Sequence, residues 1–224
     1  MCGRFSLSAP PEAVAEFFRL VKVPPLPPRY NIAPTTPVAV VRAAEQGASG
    51  RELALLRWGL VPSWAKDLAF GNRLINARAE TVAQKPSFRA AIRARRCLVP
   101  ASGYYEWRTE GEGKQPYHIR RADGAPLAFA GLWETWQNPE HGTVETCTII
   151  TTEAAGAPAE IHHRMPVMLN PADFDAWLDP EQTQAEPVIP LLQPKVTEGL
   201  EVYAVSRQVN RATFDEPACI EPLD

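Results

Sequence analysis

Apolar residues along this chain fall in short bursts separated by proline and glycine, with few long periodic runs. Pro11 to Val21 carries a helical period, placing Val14, Phe17, Phe18 and Val21 on one stripe. Pro24, Pro25, Pro27 and Pro28 cannot continue that helix and predict an extended connector. Pro37–Arg42 and Glu52–Trp58 read as strands paired across a glycine-containing turn at Gln46–Gly50. Ser87–Arg95 is expected to be helical, with Ser87 as its N-cap. Strands are expected next at Cys97–Val99, Gly103–Arg108, Tyr117–Arg121 and Leu127–Trp133, with turns at Glu110–Gly113 and Ala122–Gly124. Glu145–Thr152 is rich in β-branched residues and reads as a central strand. Val167–Leu169 reads as a short apolar strand, Pro171–Leu178 as a short helix and Val202–Val205 as a last strand. No repeat or linker interrupts the chain. The expectation is an α+β fold: a single strand-rich mixed domain over residues 1–224, with peripheral helices, a core of about 2–210 and an acidic C-terminal tail.

Composition narrows the class. At 224 residues the chain can bury a real core, and its 23 prolines favour turns and short elements. No apolar run reaches the length of a membrane span, and the N-terminus lacks a signal-peptide layout. Cys2, Cys97, Cys147 and Cys219 are scattered, with no CxxC or Cys/His cluster, so neither a metal site, a cofactor nor a disulfide framework is expected. A reducing cytoplasm is the expected compartment. Net charge is −3, but Lys66, Arg73, Arg78, Lys85, Arg89, Arg93, Arg95 and Arg96 face only Asp67 and Glu80 across residues 66–97. Such a field can attract phosphate, or it can be merely a solvated basic helix.

The start of the chain, Met1-Cys2-Gly3-Arg4-Phe5, offers the most distinctive chemistry. A small second residue permits removal of Met1, after which Cys2 carries a free amine and a thiol on adjacent carbons. An amine titrating near ~8 and a thiol near ~8.5 both keep nucleophilic fractions at neutral pH. The amine condenses with an aldehyde to an imine, and the neighbouring sulfur can close that imine to a thiazolidine.

Further polar residues are embedded in structured sequence. Glu106 lies between aromatics in Gly103–Trp107; it is either a desolvated general acid or a solvent-facing strand residue opposite Tyr105 and Trp107. His162 and His163 precede Pro166, and adjacent residues of an extended segment point opposite ways, so one of them faces any given cleft. Asn76 and Arg78 share one face of a strand, an amide beside a guanidinium suited to a sugar or carbonyl with a phosphate. Pro34, Trp58 and Trp64 offer stacking or wedging surfaces for bases, with core packing the alternative for Trp58.

The segments MCGRF, YNIAPTTPV, WGLVPSWAK, LINARAET, KPSFR, RRCLVPASGYYEW, KQPYHI, FAGLWE, IHHRMPVML and AVSRQVN, in this order, resemble the SOS-response-associated peptidase (SRAP) family from Met1 to about Asn210. The resemblance implies recognition of abasic sites in single-stranded DNA and covalent trapping of the ring-opened aldehyde on Cys2 by lyase-type Schiff-base chemistry. A peptidase activity, including autoproteolytic removal of Met1, is implied by the family name. By motif, Asn76 would position the sugar or amine, Glu106 would be the acid/base and His162 the second proton-transfer group. Arg4 and Arg78 would hold phosphates, with Pro34, Trp64, Asn76, Lys85 and Arg164 completing the DNA-binding set. A monomer is expected, in the cytoplasm and on the nucleoid when bound to DNA. The competing class is an N-terminal-nucleophile amidohydrolase of the glutamine amidotransferase kind, which also begins Met-Cys-Gly but needs further Gly/Asn and Arg motifs not found here.

Overall fold

The computed structural model describes residues 2–22, 26–44, 50–111, 113–138, 142–194 and 198–223. Among them the strands are β1 (Phe5–Leu7), β2 (Arg29–Ile32), β3 (Pro37–Ala43), β4 (Arg51–Trp58), β5 (Asn76–Arg78), β6 (Arg96–Ala101), β7 (Gly103–Glu110), β8 (Gly113–Arg121), β9 (Leu127–Asn138), β10 (Gly142–Glu153), β11 (Arg164–Pro166) and β12 (Leu200–Ala204). The helices α1 (Pro11–Phe18), α2 (Ala91–Ala94) and α3 (Phe174–Leu178) lie outside the sheets.

Five strands close into a ring. β4 pairs with β3 (Val40↔Ala54), β3 with β6 (Val41↔Leu98), β6 with β9 (Val99↔Phe129) and β9 with β10 (Thr148↔Leu132). A parallel pairing of β10 with β4, Cys147↔Trp58, completes the circuit and leaves these strands without an open edge. The second sheet runs β12-β8-β7-β1-β2. Its apolar face packs on the ring: Phe5 meets Trp58 edge-on at 5.2 Å, and Tyr104 meets Phe129 at 5.9 Å. Each such buried ring contributes roughly 1.5–3 kcal/mol of transfer free energy.

β10 is the central strand expected from Glu145–Thr152, and it is central to more than the ring. Beyond Thr148 it pairs in parallel with β5 (Ile149↔Asn76, Thr151↔Arg78), and its end pairs with β11 (Glu153↔Arg164). Segments distant in sequence are therefore brought to one end of one strand.

The strand β1, which leads in from Cys2, is pinned from both sides. It pairs with β2 and with β7 (Phe5↔Tyr104), and Ser6 Oγ lies 3.0 Å from Nε2 of the buried His118 on β8. His118 Nδ1 lies 3.0 Å from the Tyr203 hydroxyl on β12. Burial lowers the His118 pKa to about 3, so the ring is neutral and bridges three strands. Glycine at position 103 makes the room, since a Cβ there would lie 2.5 Å from the His118 ring.

Several expectations change. α1 ends at Phe18, where Arg19 turns left-handed (φ 54°) and donates back to the Glu16 carbonyl, so Val21 is 94% exposed and off the buried stripe. Ser87 is not an N-cap: the α-helix is only Ala91–Ala94, opened at Ala90 without a side-chain cap, and irregular turns precede it. Packing decides this, because Phe88, Ala91 and Ile92 bury while Arg96 donates to the Ile92 and Arg93 carbonyls and stops the helix. The strand expected at Val167–Leu169 is instead Arg164–Pro166, followed by a single bridge from Met168 to Phe129. Prolines 24 and 25, the turn residues 46–49 and residue 112 of the expected hairpin lie outside the described residues. The acidic C-terminal segment is stitched to β2, since Asp215 accepts from Arg29 Nε at 2.6 Å and from the Asn31 amide at 2.8 Å. No helix among the described residues is long and apolar enough to cross a membrane.

Candidate active site

Cys2 is fully buried within the main core, and its backbone carbonyl accepts a 2.9 Å hydrogen bond from Asn76 Nδ2. Asn76 is delivered by the parallel β5–β10 pairing, which explains why a three-residue strand so far from the N-terminus reaches it. The other amide atom, Oδ1, is buried without a partner among the described residues and so can accept a further donor. The Cys2 thiol lies 3.9 Å from the Arg4 carbonyl. Burial, and then the nearby Glu106 charge, push its pKa well up, so the sulfur is a thiol and not a thiolate.

Glu106 is 4% exposed, so of the two readings left open by the sequence the solvent-facing one is wrong. The reason is that β7 is covered on both faces. Tyr104 and Glu106 share the side toward the ring. On the opposite face Tyr105 donates to the Tyr30 carbonyl of β2 and the Cys219 carbonyl, and Trp107 Nε1 donates to Asn210 Oδ1 at 2.7 Å, Cys219 and Asn210 belonging to the C-terminal segment. Desolvation holds the Glu106 pKa up to about 7, where one carboxyl can both give and take a proton near neutrality. His162 Nδ1 lies 4.0 Å from Glu106 Oε1 and receives the Arg164 backbone N–H at 3.0 Å, which fixes the ring. Its pKa is lowered, chiefly by burial, so the imidazole is neutral near pH 7. His163 stacks on it at 4.3 Å and is the exposed member of the pair.

Glu106 and His162 open on a cleft of about 420 Å³ whose other walls are Trp107, Lys114 and Asn210. Those three were not singled out from sequence. Trp107 belongs to the same GYYEW segment, but its neighbours arrive from β8 and the C-terminal segment, which no local pattern announces. Tyr104 was missed as well: its hydroxyl is buried without a partner among the described residues, and burial first, then Cys2 and Glu106, raise its pKa.

The expected DNA-binding residues are dispersed. Arg78 and Lys85 are exposed on β5 and in the turns after it, and Trp64 is 56% exposed, edge-on to Phe70 at 5.1 Å. Pro34 is half-buried. Arg4 Nη1 already donates to Asn31 Oδ1 at 2.7 Å and to the Val209 carbonyl at 2.8 Å. Arg164 is engaged by Glu80 at 2.6 Å and by the Thr151 carbonyl. Trp58 is wholly buried and bonded to the Ile75 carbonyl, which makes it core. Part of the basic run is structural too, because Arg95 pairs with Glu134 and buried Arg96 donates to the Trp177 and Asp179 carbonyls. Among the described residues no group of three or more His, Cys, Asp or Glu side chains could hold a metal ion.

Comparison with known proteins converges on one group. The family model described as SOS response associated peptidase (SRAP) matches residues 1–212. The chain is 40% identical over 225 residues to the abasic site processing protein YoqW of Bacillus subtilis (strain 168), covering 99% of both chains. It is 32% identical over 228 residues to the abasic site processing protein HMCES of Gallus gallus, covering 88% of this chain and 67% of that one. Among solved structures, a protein from Bacteroides thetaiotaomicron superposes with a TM-score of 0.85 at 28% identity, covering 100% of each chain. A phage-related protein from Bordetella bronchiseptica gives a TM-score of 0.74 at 31% identity, covering 92% of this chain and 95% of that one.

Proposed function

This chain belongs to the SOS response associated peptidase family, and from that premise we propose that it binds single-stranded DNA and captures the ring-opened abasic aldehyde covalently on Cys2. The observation that carries the reading is the meeting of Cys2, Asn76, Glu106 and His162 from four separate segments, with the Asn76 amide 2.9 Å from the Cys2 carbonyl and His162 4.0 Å from Glu106. Removal of Met1 frees the Cys2 amine, which adds to the aldehyde carbon. Glu106, in its protonated form, gives a proton to the departing hydroxyl, so that water leaves and an imine forms. The thiol then adds to the imine carbon. Its proton passes to the Glu106 carboxylate, and the nitrogen, which shed a proton to His162 as the imine formed, takes that proton back. The product is a thiazolidine, and the net loss is one water.

Burial of the sulfur orders these steps. A thiol held protonated adds slowly to the free aldehyde, so the amine reacts first and the sulfur closes the ring only on the more electrophilic imine. Asn76 holds the residue bearing both nucleophiles, which replaces an unfavourable three-body encounter by a local one. Arg78 and Lys85, exposed on the side of β5, supply phosphate contacts, and Trp64 a stacking face. Met1 removal by the protein itself would use the same acid/base pair.

Intact-mass spectrometry after incubation with an abasic oligonucleotide tests the reading. The expected product has lost Met1 and gained the oligonucleotide minus one water. A purified protein that has lost Met1, mixed with excess lesion DNA and showing no covalent gain, would overturn it.

A further inference from the structure

The cleft beside Glu106 and His162 contains a cation that the reading above does not use. Lys114 sits at the start of β8, opposite Thr109 of β7, and lines the cleft together with Glu106, Trp107, His162 and Asn210. It is exposed and joins no ion pair among the described residues, unlike Arg108, Arg120 and Arg121 on the same hairpin, which are held by Glu110, Glu201 and Asp123. Its charge reaches the reacting groups, since it is among the influences that lower the pKa of both Glu106 and His162.

The surroundings favour an anion at this place. Glu106 is the carboxylate nearest in the cleft, and burial keeps it substantially protonated near pH 7, so it cannot fully neutralise the ammonium. Arg207 adds positive charge beside the hairpin, its guanidinium lying 3.5 Å from where a Cβ on Gly113 would stand. The far wall is rigid, because the Trp107 indole is tied to Asn210 at 2.7 Å. Arg78 and Lys85 lie on the β5 side of the site, so a strand whose sugar is drawn to Cys2 needs a second cation on the acid side to hold its backbone there.

Resting on the DNA-capture reading, we propose that Lys114 is a phosphate-binding residue that grips the single-stranded backbone beside the lesion sugar, on the Glu106–His162 side of the cleft. It binds as a mobile point charge, so arginine should substitute for it and glutamine should not.

The test measures binding of an undamaged single-stranded oligonucleotide across salt concentrations for the unaltered protein, K114Q and K114R, together with the pH profile of adduct formation on an abasic oligonucleotide. Loss of one phosphate contact lowers the log–log salt slope by about 0.7 and weakens binding at low salt roughly tenfold. K114Q should show both effects and K114R neither. An unchanged slope in K114Q overturns the proposal, as does a shifted pH profile without a change of slope, which would assign Lys114 to the Glu106 proton instead. If the unaltered protein binds single strands with the Lys114 contribution but never forms an adduct, the capture reading fails while the phosphate site stands. If it binds no DNA, both fall.

Discussion

Replacing Glu106 by Gln should make the protein more stable at alkaline pH while disabling it. The carboxyl is 4% exposed, and desolvation raises its pKa from 4.5 to about 7. The sign follows from linkage. Between those two values the folded protein holds a proton that the unfolded chain has released, so stability falls as pH rises and the loss is complete above the folded-state pKa. The full penalty is about 3 kcal/mol, and about 2.5 kcal/mol of it develops between pH 5 and pH 8. Glutamine keeps the shape and polarity of the protonated acid without titrating. The stability gap between the variant and the unaltered protein should therefore widen in the variant's favour by that amount from pH 5 to pH 8, equivalent to about 5 to 10 °C in Tm for a chain of this size. Urea unfolding at the two pH values reads it directly. Adduct formation by the same variant should slow by about a hundredfold or more, the usual worth of a positioned acid/base. A gap that is equal at pH 5 and pH 8 would show that Glu106 has an ordinary pKa, and the acid/base assignment would go with it.

Three other outcomes are expected. Asn76→Ala leaves the Cys2 carbonyl without its 2.9 Å partner, which should cost about 1–3 kcal/mol in chemical unfolding and slow adduct formation at least tenfold in a gel-shift time course; an unaltered rate would show that the amide only anchors the chain. Cys2→Ala should yield no mass gain with abasic DNA, and the loss of a buried sulfur should lower stability by about 1 kcal/mol in a thermal melt. Gly103→Ala drives a Cβ to 2.5 Å from the His118 ring and should destabilise the fold by about 1–3 kcal/mol, with a matching loss of near-UV circular dichroism if the Ser6–His118–Tyr203 bridge opens; an unchanged melt would show that the ring has room to move.

The elements carried by local pattern were legible. The β3–β4 pair, the hairpin of β7 and β8 and the β-branched β10 lie where alternation and turn residues put them, because side-chain period and proline chemistry act over a few residues. But β8 begins at Gly113 instead of Tyr117 and β9 runs past Trp133 to Asn138, where long cross-strand pairing extends them. The singular chemistry of Cys2 and the chemical types of Asn76, Glu106 and His162 were also present in the chain order. Local pattern failed where tertiary contacts override it. Ser87 has the right type for an N-cap, but burial of Phe88 and Ile92 and the grip of Arg96 leave only Ala91–Ala94 helical. Val21 has the right spacing for the α1 stripe, but the chain turns away at Arg19.

What only the tertiary structure decided is who meets whom. β10 pairs in parallel with β5 and antiparallel with β11, and those long-range registers bring Asn76 to Cys2 and seat the His162 segment near Glu106. Whether Glu106 faced water or core depended on the Tyr104 side of β7 packing against Cys2 and the His162 turn, while the C-terminal segment docks on the opposite face, over Tyr105 and Trp107. The same docking brings Asn210 to Trp107 and makes the wall of a cleft in which Lys114 stands as a cation. A residue's chemical type is written in the chain, but its desolvation, and therefore its pKa, is set by neighbours hundreds of backbone bonds away.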